Sequence, residues 1–285
     1  MNAPSLPSMI IADLVRMALS EDLGRAGDIT TMTTVPVQTR SRVAIVAREE
    51  GRIAGLDFAQ ESFRQIDPTL VIRRIVAEGG DVQKGVTVME VEGSARSILM
   101  GERVALNFVG RLSGIATMTA EMVRACGNHK AKIAATRKTT PGLRAAEKYA
   151  VMVGGGVPHR YGLDDAILIK DNHIAMAGGV RNALRAAKQA VSHTVKIEIE
   201  VDTLEQLDEV LDEGADIVML DNMSLDDMET AVKKAKGRLL VEASGGVTLA
   251  RIPAIAATGV DLISSGAITH SVKNFDVGLD YLSAA

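Results

Sequence analysis

The chain has no tryptophan, and aromatic residues make up only 2% of its 285 residues. Its core must therefore be built from Val, Ile, Leu, Ala and Met, and a flat ligand ring has to be held by something other than aromatic stacking. The same shortage, with a formal net charge of -4, argues against a nucleic-acid platform of stacked bases. The single cysteine, Cys126, excludes an internal disulfide and any Cys-x-x-Cys metal site. It ends an apolar helical stretch and reads as a small buried hydrophobe rather than a nucleophile. Nowhere is there a run of the ~20 apolar residues that a membrane span needs. The N-terminal segment MNAPSLPSMIIADLVRMALSED lacks the basic and apolar regions of a signal peptide. The expected address is the cytoplasm, with no membrane partner.

What remains is an ordinary soluble composition, 47% hydrophobic and 24% charged. The length suits one large α/β domain plus a smaller one. Ser8 to Leu19 has apolar residues at helical spacing, with Ser8 as the expected N-cap. EDLGRAGDITT reads as a polar loop. SRVAIVARE, LVIRRIVAEG and VTVMEVEG read as strands, with the short helix LDFAQESFRQID among them and a turn over Gly79–Gly85. A long helical stretch runs from Ser97 to Cys126. Gly110 and Gly114 within it predict close packing or a break, and the domain junction is placed near residue 112. Beyond it, short β-branched runs at 132–136, 166–169, 195–201, 215–220, 239–243 and 260–265 alternate with helical segments. Such βα repeats give a doubly wound sheet or a barrel. No Gly-x-Gly-x-x-Gly follows the first of these strands, which favours the barrel and places the site at the C-terminal strand ends.

Polar residues fall at those ends: Arg137 and Lys138, then Lys170, Glu200, Asp221, Glu242 with Ser244, and Ser265 with Gly266. From Arg137 to His173 six Lys/Arg and two His face four Asp/Glu, although the whole chain is acidic. Cations gathered at strand ends point to a small, multiply anionic substrate. Arg137 and Arg160 are able to clamp carboxylates bidentately, while Lys138 and Lys170 act as point charges. His159 and Arg160 follow Gly154-Gly155-Gly156, a loop expected to let the backbone approach a ligand closely. Four or more cations in one pocket imply two carboxylates besides any phosphate. Ser244-Gly245-Gly246 and Ser265-Gly266 each precede a helix and are expected to offer backbone N–H groups to a phosphate. Glu200 and Asp221 suit a hydrated Mg²⁺ or ribose hydroxyls, or else they balance Lys138 or Lys170. A Schiff-base lyase using Lys170 is the alternative from another reaction class, and a non-catalytic phosphate-ligand sensor is the alternative outside enzymes.

The run RKTTPGLRAAEKYAVMVGGGVPHRYGLDDAILIKDNH resembles the central signature of the quinolinate phosphoribosyltransferases. ERVALNFVGRLSGIAT, IEIEVDT, IVMLDNM, EASGGV and ISSGAITHS extend the resemblance over nearly the whole chain. It implies an N-terminal α/β sandwich domain over 1–112, with the tail 271–285 packed back on it, and an incomplete (β/α) barrel over 113–270. It implies transfer of phosphoribosyl from phosphoribosyl pyrophosphate to quinolinate with decarboxylation, giving nicotinate mononucleotide, pyrophosphate and CO₂ in NAD biosynthesis. A relative acting on a different anionic substrate is the nearer alternative. By the same resemblance Arg137, His159, Arg160 and Lys170 contact quinolinate, and Lys138 lies between quinolinate and the pyrophosphate. Glu200 and Asp221 lie around the ribose and hold Mg²⁺ indirectly or weakly; Lys138, Lys170, Glu200 and Asp221 form the catalytic set. Ser244, Gly245, Gly246, Ser265 and Gly266 cradle the 5′-phosphate. Arg103 is implied to reach the partner subunit's site, which makes the protein at least a homodimer with shared sites, dimer and hexamer both remaining open. No organic cofactor is expected.

Overall fold

The computed structural model describes residues 5–284. The first four residues, which open the segment read above for targeting, and Ala285 of the tail lie outside them. In chain order the first elements are α1 (Ser8–Leu23), α2 (Ile29–Thr34), β1 (Arg40–Ala47), β2 (Gly51–Arg52), α3 (Leu56–Ile66), β3 (Val71–Arg74), β4 (Asp81–Val82), β5 (Thr87–Ser94) and α4 (Ala95–Ala125). Then come β6 (Lys132–Ala134), α5 (Arg144–Val153), β7 (Ile167–Ile169), α6 (Asp171–Ala177), α7 (Val180–Ala190), β8 (Ile197–Val201) and α8 (Leu204–Glu213). The last are β9 (Ile217–Asp221), α9 (Leu225–Ala235), β10 (Leu240–Ser244), α10 (Ile252–Ala257), β11 (Leu262–Ser264), α11 (Ala267–His270) and β12 (Val277–Ala284). The chain divides into two compact units. One holds the residues up to Ala120, Thr140–Gly154 and the segment from Ser271; the other holds Glu121–Thr139 and Gly155–His270.

The first unit is built on an antiparallel sheet of order β12-β1-β5-β3. β1 is β-branched and buried along most of its length, and it pairs with β5 on one side and β12 on the other. Val43, Ile45, Met89 and Val91 of the sheet share a core with Leu56, Phe63, Ile98 and Val109 of α3 and α4. The N-terminus of α3 has no capping side chain of its own. Glu78 supplies the acceptor instead, taking the N–H of Gly55 at 2.6 Å and of Leu56 at 3.0 Å. Aromatic residues gather in this unit: Phe58 stacks on Phe108 with ring centroids 4.9 Å apart.

α4 runs unbroken through residue 112, so its two glycines mark close packing and no break. A Cβ on Gly114 would fall 2.3 Å from the Lys273 carbonyl oxygen, and one on Gly110 3.0 Å from that of Phe275. The C-terminal segment lies where those side chains would be. Three local readings change. α1 begins at Ser8, but its cap position is Pro7 and no side chain caps it. The supposed loop contains α2, which Asp28 caps by accepting the Thr31 N–H at 2.9 Å. Within the Gly79–Gly85 turn, β4 pairs with β2.

The second unit is a parallel sheet of order β6-β11-β10-β9-β8-β7 with helices between its strands. The chain neighbours β6 and β7 stand at opposite edges, so the barrel is incomplete. Val157 lies beside β6: its N–H bonds to Ile133 at 2.8 Å, and its carbonyl accepts from Ala135 at 2.9 Å. Helices α8 and α9 are capped by Thr203 and Ser224, whose hydroxyls accept from the N–H groups of Gln206 and Asp227. Cys126 is buried, and burial pushes its thiol up, as expected of an inert residue. Among the described residues no helix is long and apolar enough to cross a membrane.

Candidate active site

A strand's side chains alternate between its two faces. In this barrel Ile197, Ile199 and Val201 of β8 take one face, which leaves Glu198 and Glu200 to the interior. The same alternation turns Leu168, Met219, Asp221, Glu242, Ser244 and Ser264 inward, and nearly all of these line one cavity of about 630 Å³. That size falls within the common range for small-molecule sites. The cavity wall brings together Arg137, Lys138, His159, Arg160, Lys170, Glu200, Asp221, Ser244, Gly245 and Gly246. Ser265 is buried and, like Gly266, lies off that wall, where Ser264 stands in its place. Gly266 packs under Lys138: a Cβ on it would come within 2.8 Å of the lysine Cδ. Arg103 belongs to the other unit, on α4, with its side chain exposed.

The cationic wall is arranged to meet an anion. Burial lowers the pKa of Arg160, and the charge of Arg137 lowers it further. Two guanidinium groups that repel each other in this way leave a place for negative charge. Arg137 Nε is buried without a hydrogen-bond partner, while Arg160 Nη1 donates to the Ala166 carbonyl at 3.2 Å. Lys138 is exposed, but its backbone is tied down. Its N–H donates to Thr136 Oγ1 at 3.0 Å, and its carbonyl accepts from Thr269 Oγ1 at 2.8 Å.

On the acidic side Lys170 is ion-paired with the buried Glu200. Lys170 itself is exposed, so it lacks the desolvation that a Schiff-base amine requires. Asp221 is held by Asn222 Nδ2 at 2.7 Å and by no lysine in its immediate contacts among those described. Two carboxylates at the rim, each with an oxygen to spare, form a donor set that suits a Mg²⁺ keeping its own water shell. Asn222 was not legible as a site residue. It occupies a left-handed conformation, φ 54°, and its N–H donates to the Ser244 carbonyl at 3.0 Å. Asn is the residue type that tolerates this conformation best after Gly. The glycine at 245, φ +86°, is required on two counts. A Cβ there would meet Asn222 Oδ1 at 2.2 Å, and the backbone itself is left-handed. Only the three-residue 3₁₀ turn Leu249–Arg251 and the short α10 follow this loop, so backbone N–H groups, more than a long helix dipole, are what it offers.

The Gly154–Gly156 loop does different work from that expected. None of its glycines lines the cavity; Gly154 packs on α4, where a Cβ would meet Thr119 Cβ at 2.5 Å. The wall begins at His159, another left-handed residue, φ 51°. Its Nε2 lies 3.2 Å from Glu198 and 3.5 Å from Glu242, both buried. Burial alone would disfavour the charged ring, but hydrogen bonds and charge from the two glutamates outweigh it and raise the pKa to about 9. The Arg160 N–H approaches Nδ1 at 2.8 Å, a contact that favours the neutral ring. The glutamates decide the balance: three of their four carboxylate oxygens have no hydrogen-bond partner, so the ring is their counter-charge. Glu198 escaped the strand-end reading, although the alternation in IEIEV places it on the face of Glu200.

Comparison with known proteins agrees across the chain. Family models described as the quinolinate phosphoribosyl transferase N-terminal and C-terminal domains match residues 28–113 and 115–280. The nicotinate-nucleotide pyrophosphorylase [carboxylating] of Mycobacterium leprae is 47% identical over 275 residues, covering 94% of this chain and 96% of that protein. A probable enzyme of the same name from Bacillus subtilis is 46% identical over 260 residues, covering 91% and 89%. The solved structure of the Francisella tularensis nicotinate-nucleotide pyrophosphorylase superposes with a TM-score of 0.93 at 41% identity, covering 99% of both chains.

Proposed function

The chain belongs to the quinolinate phosphoribosyltransferase family and transfers phosphoribosyl from phosphoribosyl pyrophosphate to quinolinate with loss of CO₂, and we propose how its residues divide that work. The observation that carries the assignment is the pair Arg137 and Arg160, two cations in the wall of one cavity and close enough for one to lower the pKa of the other, with Arg137 Nε buried and without a partner in the protein. Arg137, Arg160, His159 and Lys170 hold the two carboxylates of quinolinate. Leu168 and Met219 flank its ring in a cavity whose described walls have no phenylalanine or tyrosine. Ser244, Gly245 and Gly246 hold the 5′-phosphate, with Ser265 and Gly266 supporting that end of the site. Lys138 lies towards the pyrophosphate, and Glu200 and Asp221 bracket the ribose.

The ring nitrogen attacks the anomeric carbon as pyrophosphate leaves, through an oxocarbenium-like transition state. Lys138 and Lys170 are fixed positive charges beside the negative charge that grows in that step. Glu200 and Asp221 would hold a Mg²⁺ there, and the ion would supply further neutralisation of the pyrophosphate. Once the nitrogen is alkylated the ring is a pyridinium. Loss of the adjacent carboxylate as CO₂ leaves an electron pair on C2 that the ring charge stabilises, and a proton then completes the C2–H bond. The protein orients the departing carboxylate and keeps it partly desolvated. Turnover should yield nicotinate mononucleotide from quinolinate and none from nicotinate, and it should stop when EDTA removes Mg²⁺. Turnover of nicotinate would move the chain to a relative with another substrate, and full activity in EDTA would remove Mg²⁺ from the account.

Domain division near residue 112, a cytoplasmic address and a homodimer with shared sites complete the proposal. Arg103 is exposed on α4, as a residue serving a partner's site must be. Arg103→Ala and Arg160→Ala proteins should each be nearly inactive. Mixed in equal amounts, they should recover about a quarter of wild-type activity, because half the dimers then hold one intact site of two. No recovery after confirmed subunit exchange would show that each site is built from one chain.

A further inference from the structure

Glu198 and Glu242 have no part in the contacts assigned above, yet they are 4% and 0% exposed inside the barrel. Two ionised carboxylates do not share such a place without a counter-charge. His159 provides it, with Nε2 within 3.2 Å of one and 3.5 Å of the other. The ring also divides two spaces. A second cavity of about 260 Å³ extends towards the N-terminal strand ends, and His159, Arg160 and Glu242 line both it and the substrate cavity. The other charged groups around the second cavity are otherwise engaged. Lys196 pairs with Asp216, and Asp165 accepts the N–H groups of Tyr161 and Gly162. On the substrate side Arg137, Arg160 and Lys170 line the same cavity as the ring, and the Arg160 N–H lies 2.8 Å from Nδ1; all of these work against the charged ring. His159 is held in a left-handed backbone that few residues other than glycine adopt, so its orientation is imposed by its surroundings.

We propose that Glu198 and Glu242 are positioning residues that hold His159 as an imidazolium of fixed orientation between the two cavities. This buried triad then sets the preference for a pyridine carrying two carboxylates over one carrying a single carboxylate. The proposal rests on the quinolinate reading of the cavity. Its physical content is that a cation placed among other cations stays charged only because two anions lie behind it. Remove one anion and the ring loses its proton and its anchor, so the second carboxylate of the substrate loses a partner. The same three groups have ligand atoms within 4.8 Å of one another, a spacing a divalent metal would also accept. The two readings differ in what occupies the Nε2 lone pair, a proton or a metal.

The test uses full-length protein labelled with ¹⁵N at histidine, with the His159 ring signals assigned by their loss in His159→Gln. At pH 7.5 both ring nitrogens should carry protons in the wild type, and Glu242→Gln should lower the titration midpoint by about two pH units, so that the ring is largely neutral at that pH. The same variant should weaken quinolinate binding about tenfold and leave nicotinate binding within about twofold. In a His159→Gln background Glu242→Gln should add almost nothing, because both changes remove one device. A neutral ring in the wild type, an unmoved midpoint in Glu242→Gln, or equal losses for both ligands would overturn the proposal. So would a stoichiometric divalent metal that His159→Gln releases. Glu198→Gln provides the same comparison if Glu242→Gln does not fold. A wild-type protein that binds no quinolinate would instead remove the substrate reading, and the ring titration would still report on the triad.

Discussion

Arg137→Ala should weaken quinolinate binding by about a hundredfold or more while changing the KM for phosphoribosyl pyrophosphate by less than about threefold. Truncating one member of a buried, charge-assisted hydrogen-bonded pair costs roughly 2–5 kcal/mol, and each 1.4 kcal/mol is a factor of ten. The asymmetry follows from charge: Arg137 is close enough to Arg160 to lower its pKa, so the two form one cationic part of the cavity wall. The change should not weaken the free protein, since it removes a repulsion and an unpartnered buried nitrogen. A thermal midpoint equal to or above the wild type, together with the lost binding, would mark Arg137 as a residue kept for its ligand and not for the fold. Arg137→Lys should recover part of the binding, because it restores charge without the two-pronged geometry. Equal losses for the two substrates, measured by titration calorimetry, would show that the assignment is wrong.

Gly245→Ala should act on the opposite end of the cavity. The added carbon would sit 2.2 Å from Asn222 Oδ1 and 2.9 Å from the Asn222 nitrogen, on a backbone already at φ +86°. The loop has to move, and displacements of about 1 Å in a positioned site cost on the order of a hundredfold in rate. The loss should fall on phosphoribosyl pyrophosphate, and quinolinate binding should stay within about twofold of the wild type. Gly246→Ala is the control. Its carbon would meet the far end of the Arg251 side chain at 3.1 Å and Asn222 Oδ1 at 4.0 Å, so a smaller effect is expected even though φ is +56°. Steady-state kinetics with each substrate varied in turn would separate the two. Similar losses in both variants would mean that left-handed backbone strain matters more than the Asn222 contact.

These two residues also mark what the sequence made visible. Arg137 was legible because a cation after a short apolar strand is conspicuous in an acidic chain. The barrel strands were legible because buried parallel strands are compact β-branched runs between amphipathic helices. Glycine 245 was legible as a residue type, but its reason was not: Asn222 lies 23 positions earlier and meets it only because β9 and β10 pair in register. Short elements were harder to read because few of their own residues mark them. α2 is six residues, three of them threonines before its last, and stands on the Asp28 cap; β2 and β4 are two residues each and exist through each other. Gly154 was misread because its packing partner, Thr119, is distant in sequence. Glu198 is the instructive omission. Glu200 is marked by its place at a strand end, whereas Glu198 is marked only by the alternation in IEIEV that sends both glutamates into the barrel.

The most direct measurement is release of labelled CO₂ from quinolinate carrying the label in its 2-carboxyl group, with a parallel tube labelled in the 3-carboxyl group. Release from the first tube alone, only with phosphoribosyl pyrophosphate present and matched one-to-one by nicotinate mononucleotide, is the expected result. Release without phosphoribosyl pyrophosphate, or from the second tube, would contradict a decarboxylation driven by alkylation of the ring nitrogen.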